Sequence, residues 1–308
     1  MIAPVPIHYA KLSQDGAIAI EGPDTLSFLQ GQTSCDFDTL TDEHSIVGAC
    51  CNPQGRVLFD FRALLTGADS VLLLMPLDIV EVALQVLGKY IVFSKAELRD
   101  ASGEWQQFGC WSDQPLPIEY SNPAIGAVAR EGSSALICED DAGHRARVLT
   151  AAGTDQDVFR QVLNPSEEVE EREWRRQEIL AGIPHVTAAT SGEFLPQMLN
   201  FEHLDRISFT KGCYTGQEVV ARMHYKGKVK RPLFLARSTH PAVDPGVPLY
   251  ATGAAQAAGT VINAINEEGD GCLLLINAAT SALEAGLQMT EPGGPVLEIL
   301  PLPYSTEA

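Results

Sequence analysis

Lys211-Gly212-Cys213-Tyr214-Thr215-Gly216-Gln217-Glu218 is the stretch on which the reading of this chain turns. Thr215 and Glu218 have the T-x-x-E spacing of a capping box, which predicts a helix continuing through Val219, Val220, Ala221 and Arg222. Cys213 then stands two residues before the cap. A thiol just outside a helix N-terminus feels the positive end of the backbone dipole, and Lys211 adds a second positive charge. Both favour the thiolate and point to a nucleophile or soft ligand. The competing reading is a small buried cysteine beside an ordinary turn.

Composition bounds the rest. A chain of 308 residues can bury a sizeable core and form two or three domains. A hydrophobic content of 45% and a charged content of 20% describe an ordinary globular protein. The formal charge of −19 argues against broad, sequence-independent nucleic-acid binding. The cations are nevertheless uneven: Arg222, Lys226, Lys228, Lys230 and Arg231 lie within ten residues, with His224 and Tyr225 among them and no acid. Such a segment attracts a phosphate, a polyglutamate tail or a tRNA backbone, or is simply a solvated face. Seven cysteines, an odd number in a chain too large to need staples, suggest a reducing compartment. Their spacings give no zinc site and no four-cysteine cluster, so no metal is expected. With no secretory signal at the start and no apolar run long enough for a bilayer, a cytoplasmic protein is expected.

Along the chain, Ala17 to Ile20 reads as a strand and Gly22-Pro23-Asp24 as the entry to a helix. Ser45 to Met75 reads as three β runs joined by turns at Asn52–Gly55 and Thr66–Asp69, an antiparallel meander. Leu77 to Gly88 reads as a helix with one apolar face. Asp140-Asp141-Ala142-Gly143 reads as a hairpin turn. Asn164-Pro165-Ser166-Glu167 reads as the start of a helix that ends near Leu180, stopped by Gly182 and Pro184. Beyond Arg231, short β runs alternate with Gly and Pro clusters, which predicts a small all-β barrel.

The octapeptide resembles the K-G-C-Y-x-G-Q-E hallmark of the YgfZ family, folate-binding proteins related to the aminomethyltransferase (T-protein) of the glycine cleavage system. The resemblance includes Ser191-Gly192-Glu193-Phe194-Leu195-Pro196-Gln197, Val219 to Arg222, and Lys230-Arg231. Near the N-terminus it takes in Gly22-Pro23-Asp24 and Phe28-Leu29-Gln30-Gly31-Gln32, and at the C-terminus Leu302-Pro303-Tyr304-Ser305. It implies an α+β fold of the three-domain aminomethyltransferase type. A discontinuous folate-binding domain would take residues 1–45 and about 120–230, an inserted α+β domain about 46–119, and a C-terminal β-barrel 231–308.

The same resemblance implies an accessory protein that binds tetrahydrofolate or another reduced folate. Its role would lie in iron–sulfur cluster assembly or maintenance and thereby in tRNA modification, with iron–sulfur or tRNA-modifying enzymes as partners. Cys213 would be the reactive thiol and Lys211 its tuning charge. Gly212, Tyr214, Thr215, Gly216, Gln217 and Glu218 would shape the loop. A folate site needs an aromatic wall, acceptors for the pterin edge and a cation for the tail. Trp174 stands where folate-contacting members carry a Trp, with Gln197, Glu178 and Arg222 as polar candidates. A core Trp is the alternative. The chain departs from the family pattern at Leu180, where a glutamate is usual. Glu178 lies about 200° around the helix from that position. Asp15-Gly16-Ala17 stands where enterobacterial-type members carry a Trp.

Asn52 to Asp60 is similar to the T-protein segment that ends in two aspartates. Phe59 replaces the first, and a lone Asp60 is ordinarily a surface or hydrogen-bonded residue. This counts against a second reading, a tetrahydrofolate-dependent aminomethyltransferase. A third reading is a tRNA or protein docking module resting on residues 222–231. Whether the chain is an enzyme is left open by the sequence.

Overall fold

The computed structural model describes residues 6–119, 124–131, 134–153, 166–267 and 269–306. The chain begins with β1 (Ile7–Lys11), β2 (Asp15–Glu21), α1 (Thr25–Gln32), β3 (Ile46–Cys51), β4 (Val57–Gly67), β5 (Ser70–Pro76), α2 (Val80–Ile91) and β6 (Glu97–Asp100). It continues through β7 (Trp105–Trp111), β8 (Val128–Glu131), β9 (Ser134–Cys138), β10 (Arg145–Ala151), β11 (Ser166–Glu168), α3 (Glu171–Leu180) and α4 (Gln217–Lys226). The last part holds β12 (Leu233–Ser238), β13 (Pro248–Ala251), β14 (Ala257–Asn266), β15 (Cys272–Ala278), α5 (Thr280–Leu283), β16 (Leu287–Met289) and β17 (Glu298–Leu300).

Two units share these elements. One is Met1–Gln30, Asp36–Gly48 and Phe61–Trp174; the other is Gly31–Cys35, Ala49–Asp60 and Arg175–Ala308. In the first, one sheet has the order β11-β1-β7-β10-β9-β8. A second sheet has the order β3-β4-β5-β2-β6. The predicted meander is β3, β4 and β5. Small residues of β2 oppose large ones of β5, Ala17 against Leu74 and Ala19 against Leu72. These four pack with Leu64, Val128, Ile137 and Leu149 into one buried cluster. Helix α2 follows a single 3-10 turn at Leu77–Ile79 and buries Val80, Ala83, Leu87 and Ile91, a 3-4-4 spacing that keeps one face inward. The hairpin turn between β9 and β10 is Asp140–Gly143. There Asp140 accepts the His144 N–H at 2.9 Å and Gly143 sits at φ +68°.

The expected helix start at Asn164-Pro165-Ser166-Glu167 is corrected. Residues 164 and 165 lie outside the described residues. Ser166–Glu168 forms β11, paired parallel with Ile7–Tyr9, and helix α3 begins only at Glu171. Strand pairing with β1 outweighs the local cap signal there. The stop is as expected, with Gly182 at φ +67° closing α3 through its N–H to the Ile179 carbonyl.

In the second unit, β16-β13-β14-β15-β12-β17 form a wholly antiparallel six-stranded sheet. Its central strand β15 is buried along its whole length. Leu273 and Leu275 face a cluster that includes Phe194, Leu199, Phe201, Ile207 and Val220, while Leu274 and Ile276 face another with Leu249, Val261 and Met289. Period-2 alternation therefore supplies two cores from one strand. Each fully buried leucine or isoleucine there is worth about 1.5–3 kcal/mol. The C-terminal tail is tied to α3, because the Tyr304 hydroxyl donates to the Gly182 carbonyl at 2.8 Å.

Candidate functional site

The octapeptide loop is held from below by its lysine. Lys211 is buried, and its ammonium donates to the carbonyls of Thr33 at 2.7 Å and Cys35 at 2.6 Å. The same group lies 5.3 Å from the centre of the Tyr214 ring. Tyr214 is buried too, and burial, with Cys51, Cys35 and Glu202 nearby, pushes its phenol well above the ordinary range. Ser208 anchors the start of the loop: its N–H donates to the Ser34 carbonyl at 2.8 Å and its hydroxyl accepts the Lys211 N–H at 3.2 Å.

One expectation for this loop is corrected. Thr215 and Glu218 form no capping box. Helix α4 starts at Gln217, and its cap is Gly216 at φ +85° with no side-chain cap bond. The reason is a close approach: a Cβ on Gly216 would fall 2.4 Å from the Asn52 carbonyl oxygen, so the chain passes there only as glycine. Asn52 in turn is fixed in the β3–β4 turn, accepting the N–H groups of Gln54 and Arg56 at 3.0 Å each. The Lys211 ammonium turns inward to the two carbonyls and the tyrosine ring, where it braces the loop.

Cys213 is exposed, and the other six cysteines are buried. Burial pushes the thiol of Cys51 up to about 12 and that of Cys272 to about 11, and raises Cys50, Cys110 and Cys138 as well. The loop thus presents one accessible thiol on a braced turn.

A second feature of this unit was missed by sequence reasoning. Asp60, weighed only as an isolated acid, is fully buried and bonded to the Arg206 guanidinium, to His185 Nδ1 at 2.9 Å and to the Val186 N–H at 2.6 Å. Burial alone would raise its pKa, but Arg206, His185 and the Val186 amide outweigh it and hold the carboxyl below its ordinary value. For His185, burial alone would lower the pKa. The Asp60 charge and hydrogen bond, with Glu178, instead raise it to about 9. The ring is thus a cation at neutral pH. Its Nε2 lies 3.5 Å from Glu178 Oε1, an ion-pair distance, and makes no hydrogen bond among the described residues. Glu178, a predicted site residue, also accepts Arg175 Nη1 at 2.9 Å. Asn263 holds the His185 backbone at both its N–H and its carbonyl. The only sequence signal for His185 was its place after Gly182-Ile183-Pro184; Arg206 carried none.

The remaining candidates separate. Gln197 is buried and donates to Glu202 at 2.6 Å and to the Val220 carbonyl at 3.0 Å, which latches it to α4. Its Oε1 is buried without a hydrogen-bond partner among the described residues. Arg222 is exposed on α4. The assignment of Trp174 as a ligand wall is corrected: its ring is 0% exposed in the first unit. A Cβ on Gly109 would lie 2.1 Å from it, the guanidinium carbons of Arg145 and Arg147 lie 5.1 and 5.7 Å from its centre, and Trp111 packs at 6.0 Å. No ring face is left open for a ligand, and Trp174 is a core residue.

No protein-family model matches the chain. It is 35% identical to the tRNA-modifying protein YgfZ of Colwellia psychrerythraea, over 77% of this chain and 74% of that protein. With the protein of the same name from Vibrio atlanticus it is 32% identical, over 96% of this chain and 92% of that one. Its fold is similar to that of the glycine cleavage system aminomethyltransferase T from Bartonella henselae, with a TM-score of 0.72 at 14% identity, covering 97% of this chain and 86% of that one. The architecture is therefore the α+β aminomethyltransferase fold, and by its identity over most of both relatives' lengths the chain belongs to the YgfZ family.

Proposed function

We propose that this protein binds a reduced folate and acts as an accessory factor in tRNA modification, supporting iron–sulfur enzymes through Cys213. The observation that carries the reading is the braced octapeptide loop, which keeps one thiol exposed while burying its lysine and tyrosine. The name tRNA-modifying protein on the two relatives supports the process, and the shared fold of aminomethyltransferase T makes a folate ligand reasonable.

The second unit has groups that suit a pterin. Gln197 Oε1 is a buried acceptor with no hydrogen-bond partner among the described residues, and His185 Nε2 faces Glu178 Oε1 at 3.5 Å. Glu178, Gln197 and His185 are the residues we assign to holding the ring, and exposed Arg222 to attracting the glutamate tail. A reduced folate, when bound, supplies a carrier for one-carbon units. The chain's own contribution is to orient the ring and to keep Asp60 ionised beside a charged His185.

Titration of the purified protein with tetrahydrofolate, followed by calorimetry, tests the ligand. Saturable binding weakened severalfold by Glu178→Gln or His185→Gln is expected, and absence of saturable binding would refute it. The aminomethyltransferase reading is tested by ammonia release from an aminomethylated lipoyl carrier. No release is expected, because Phe59 is fully buried at the position of the first aspartate and Asp60 is fully engaged.

A further inference from the structure

The end of α4 and the segment after it carry Arg222, Lys226, Lys228, Lys230 and Arg231, all exposed. Among the described residues none of the five forms an ion pair. Other arginines of the chain show the contrast: Arg62, Arg99, Arg147, Arg172, Arg175, Arg206 and Arg237 are each paired with a carboxylate. Between Glu218 and Asp244 the sequence contains no acid. In a chain of net charge −19, five cations in ten residues that form no ion pair among the described residues are a local reversal of sign.

Aromatic rings interleave with these cations. His224 stacks on Phe209 with centroids 3.9 Å apart and planes 18° apart, and its Nδ1 is 3.1 Å from Glu202 Oε2. Glu202 is the acid facing this group, and Gln197 already engages its other oxygen. Tyr225 caps the stack edge-on, 4.7 Å from His224 and 6.3 Å from Phe209, and is 70% exposed. A fixed, open ring flanked by unpaired cations is the arrangement that holds single-stranded or looped RNA, with cations on the phosphates and an aromatic face for a base. A carboxylate partner, such as an acidic protein or a polyglutamate tail, would use the cations but leave Tyr225 without a purpose.

We infer that this face contacts RNA directly, with Lys226, Lys228, Lys230 and Arg231 on the phosphodiester backbone and Tyr225 stacked on an unpaired base. The inference rests on the proposed role in tRNA modification and names the surface that would serve it.

The test is equilibrium binding of the full chain to an unmodified tRNA transcript by fluorescence anisotropy across a salt series. Four engaged cations give a log–log salt slope of about −2.8 to −3.6. Lys228→Ala with Lys230→Ala should flatten that slope by about 1.4 to 1.8. Tyr225→Ala should weaken binding by about fivefold or more with the slope unchanged. Circular dichroism confirms that both variants are folded; Lys228 and Lys230 are exposed, and Tyr225 packs edge-on against His224 and Phe209. Equal affinity for a polyglutamate peptide, or a slope unchanged in the double variant, overturns the RNA assignment. If tetrahydrofolate binds and tRNA modification is supported while no salt-dependent RNA binding is seen, the contact is refuted and the functional reading stands.

Discussion

Replacing His185 with glutamine should remove a pH-dependent part of the protein's stability. The imidazole is raised from 6.5 to about 9 because the Asp60 and Glu178 carboxylates outweigh the effect of burial. Below pH 6.5 the ring is protonated in both the folded and unfolded chains, and the preference for the folded state is fully present. Between 6.5 and 9 the unfolded chain sheds its proton while the folded chain keeps it, so the stabilisation falls as pH rises and is gone above the folded value. A rise of that size corresponds to about 3 kcal/mol at about 1.36 kcal/mol per unit. Asp60 acts in the opposite sense and elsewhere: its carboxyl is held low, so its contribution is lost only as pH falls through the acid range. The buried cysteines, with raised values, affect both proteins alike and cancel in the difference. Urea unfolding of the wild type and His185→Gln from pH 6 to 10 measures it. The stability difference should shrink by about 3 kcal/mol between pH 6.5 and 9.5. A difference that stays constant over that window, or an imidazole that titrates by NMR near 6.5, would refute the reasoning.

Three further outcomes follow from the packing. Gly216→Ala should cost about 1–3 kcal/mol, from a left-handed backbone and a Cβ pressed on the Asn52 carbonyl, read as a lower urea midpoint. Lys211→Met should lose about 2–4 kcal/mol, because the ammonium's two buried hydrogen bonds to the Thr33 and Cys35 carbonyls are lost, and should loosen the loop as seen by faster amide exchange from 208 to 216. Trp174→Phe should lower stability yet leave tetrahydrofolate affinity unchanged in the folded protein, since the ring is a closed core residue; a drop in affinity at full folding would restore it as a ligand wall.

Much of the scaffold was legible in the sequence because its signals are local. The apolar face of α2, the runs of β3 to β5 and the Asp140–Gly143 turn each depend on residues a few positions apart. What escaped depends on partners far along the chain. The Asn164–Glu167 cap signal yields to pairing of Ser166–Glu168 with Ile7–Tyr9, some 159 residues away. The Thr215–Glu218 box yields to the close pass of Gly216 over Asn52. The Asp60–His185–Arg206 cluster joins residues 125 and 146 positions apart, and no window or periodicity brings them together. The octapeptide gave the loop and its exposed cysteine a place, but not the inward turn of Lys211, which is set by the carbonyls of Thr33 and Cys35.

The central claim is that a braced, exposed Cys213 serves tRNA modification. It is tested most directly in a host lacking its own YgfZ, by mass spectrometry of tRNA nucleosides made by iron–sulfur enzymes. The account predicts that the wild-type chain restores those modifications and that Cys213→Ala, expressed and folded to the same level, does not. Full restoration by Cys213→Ala would contradict it.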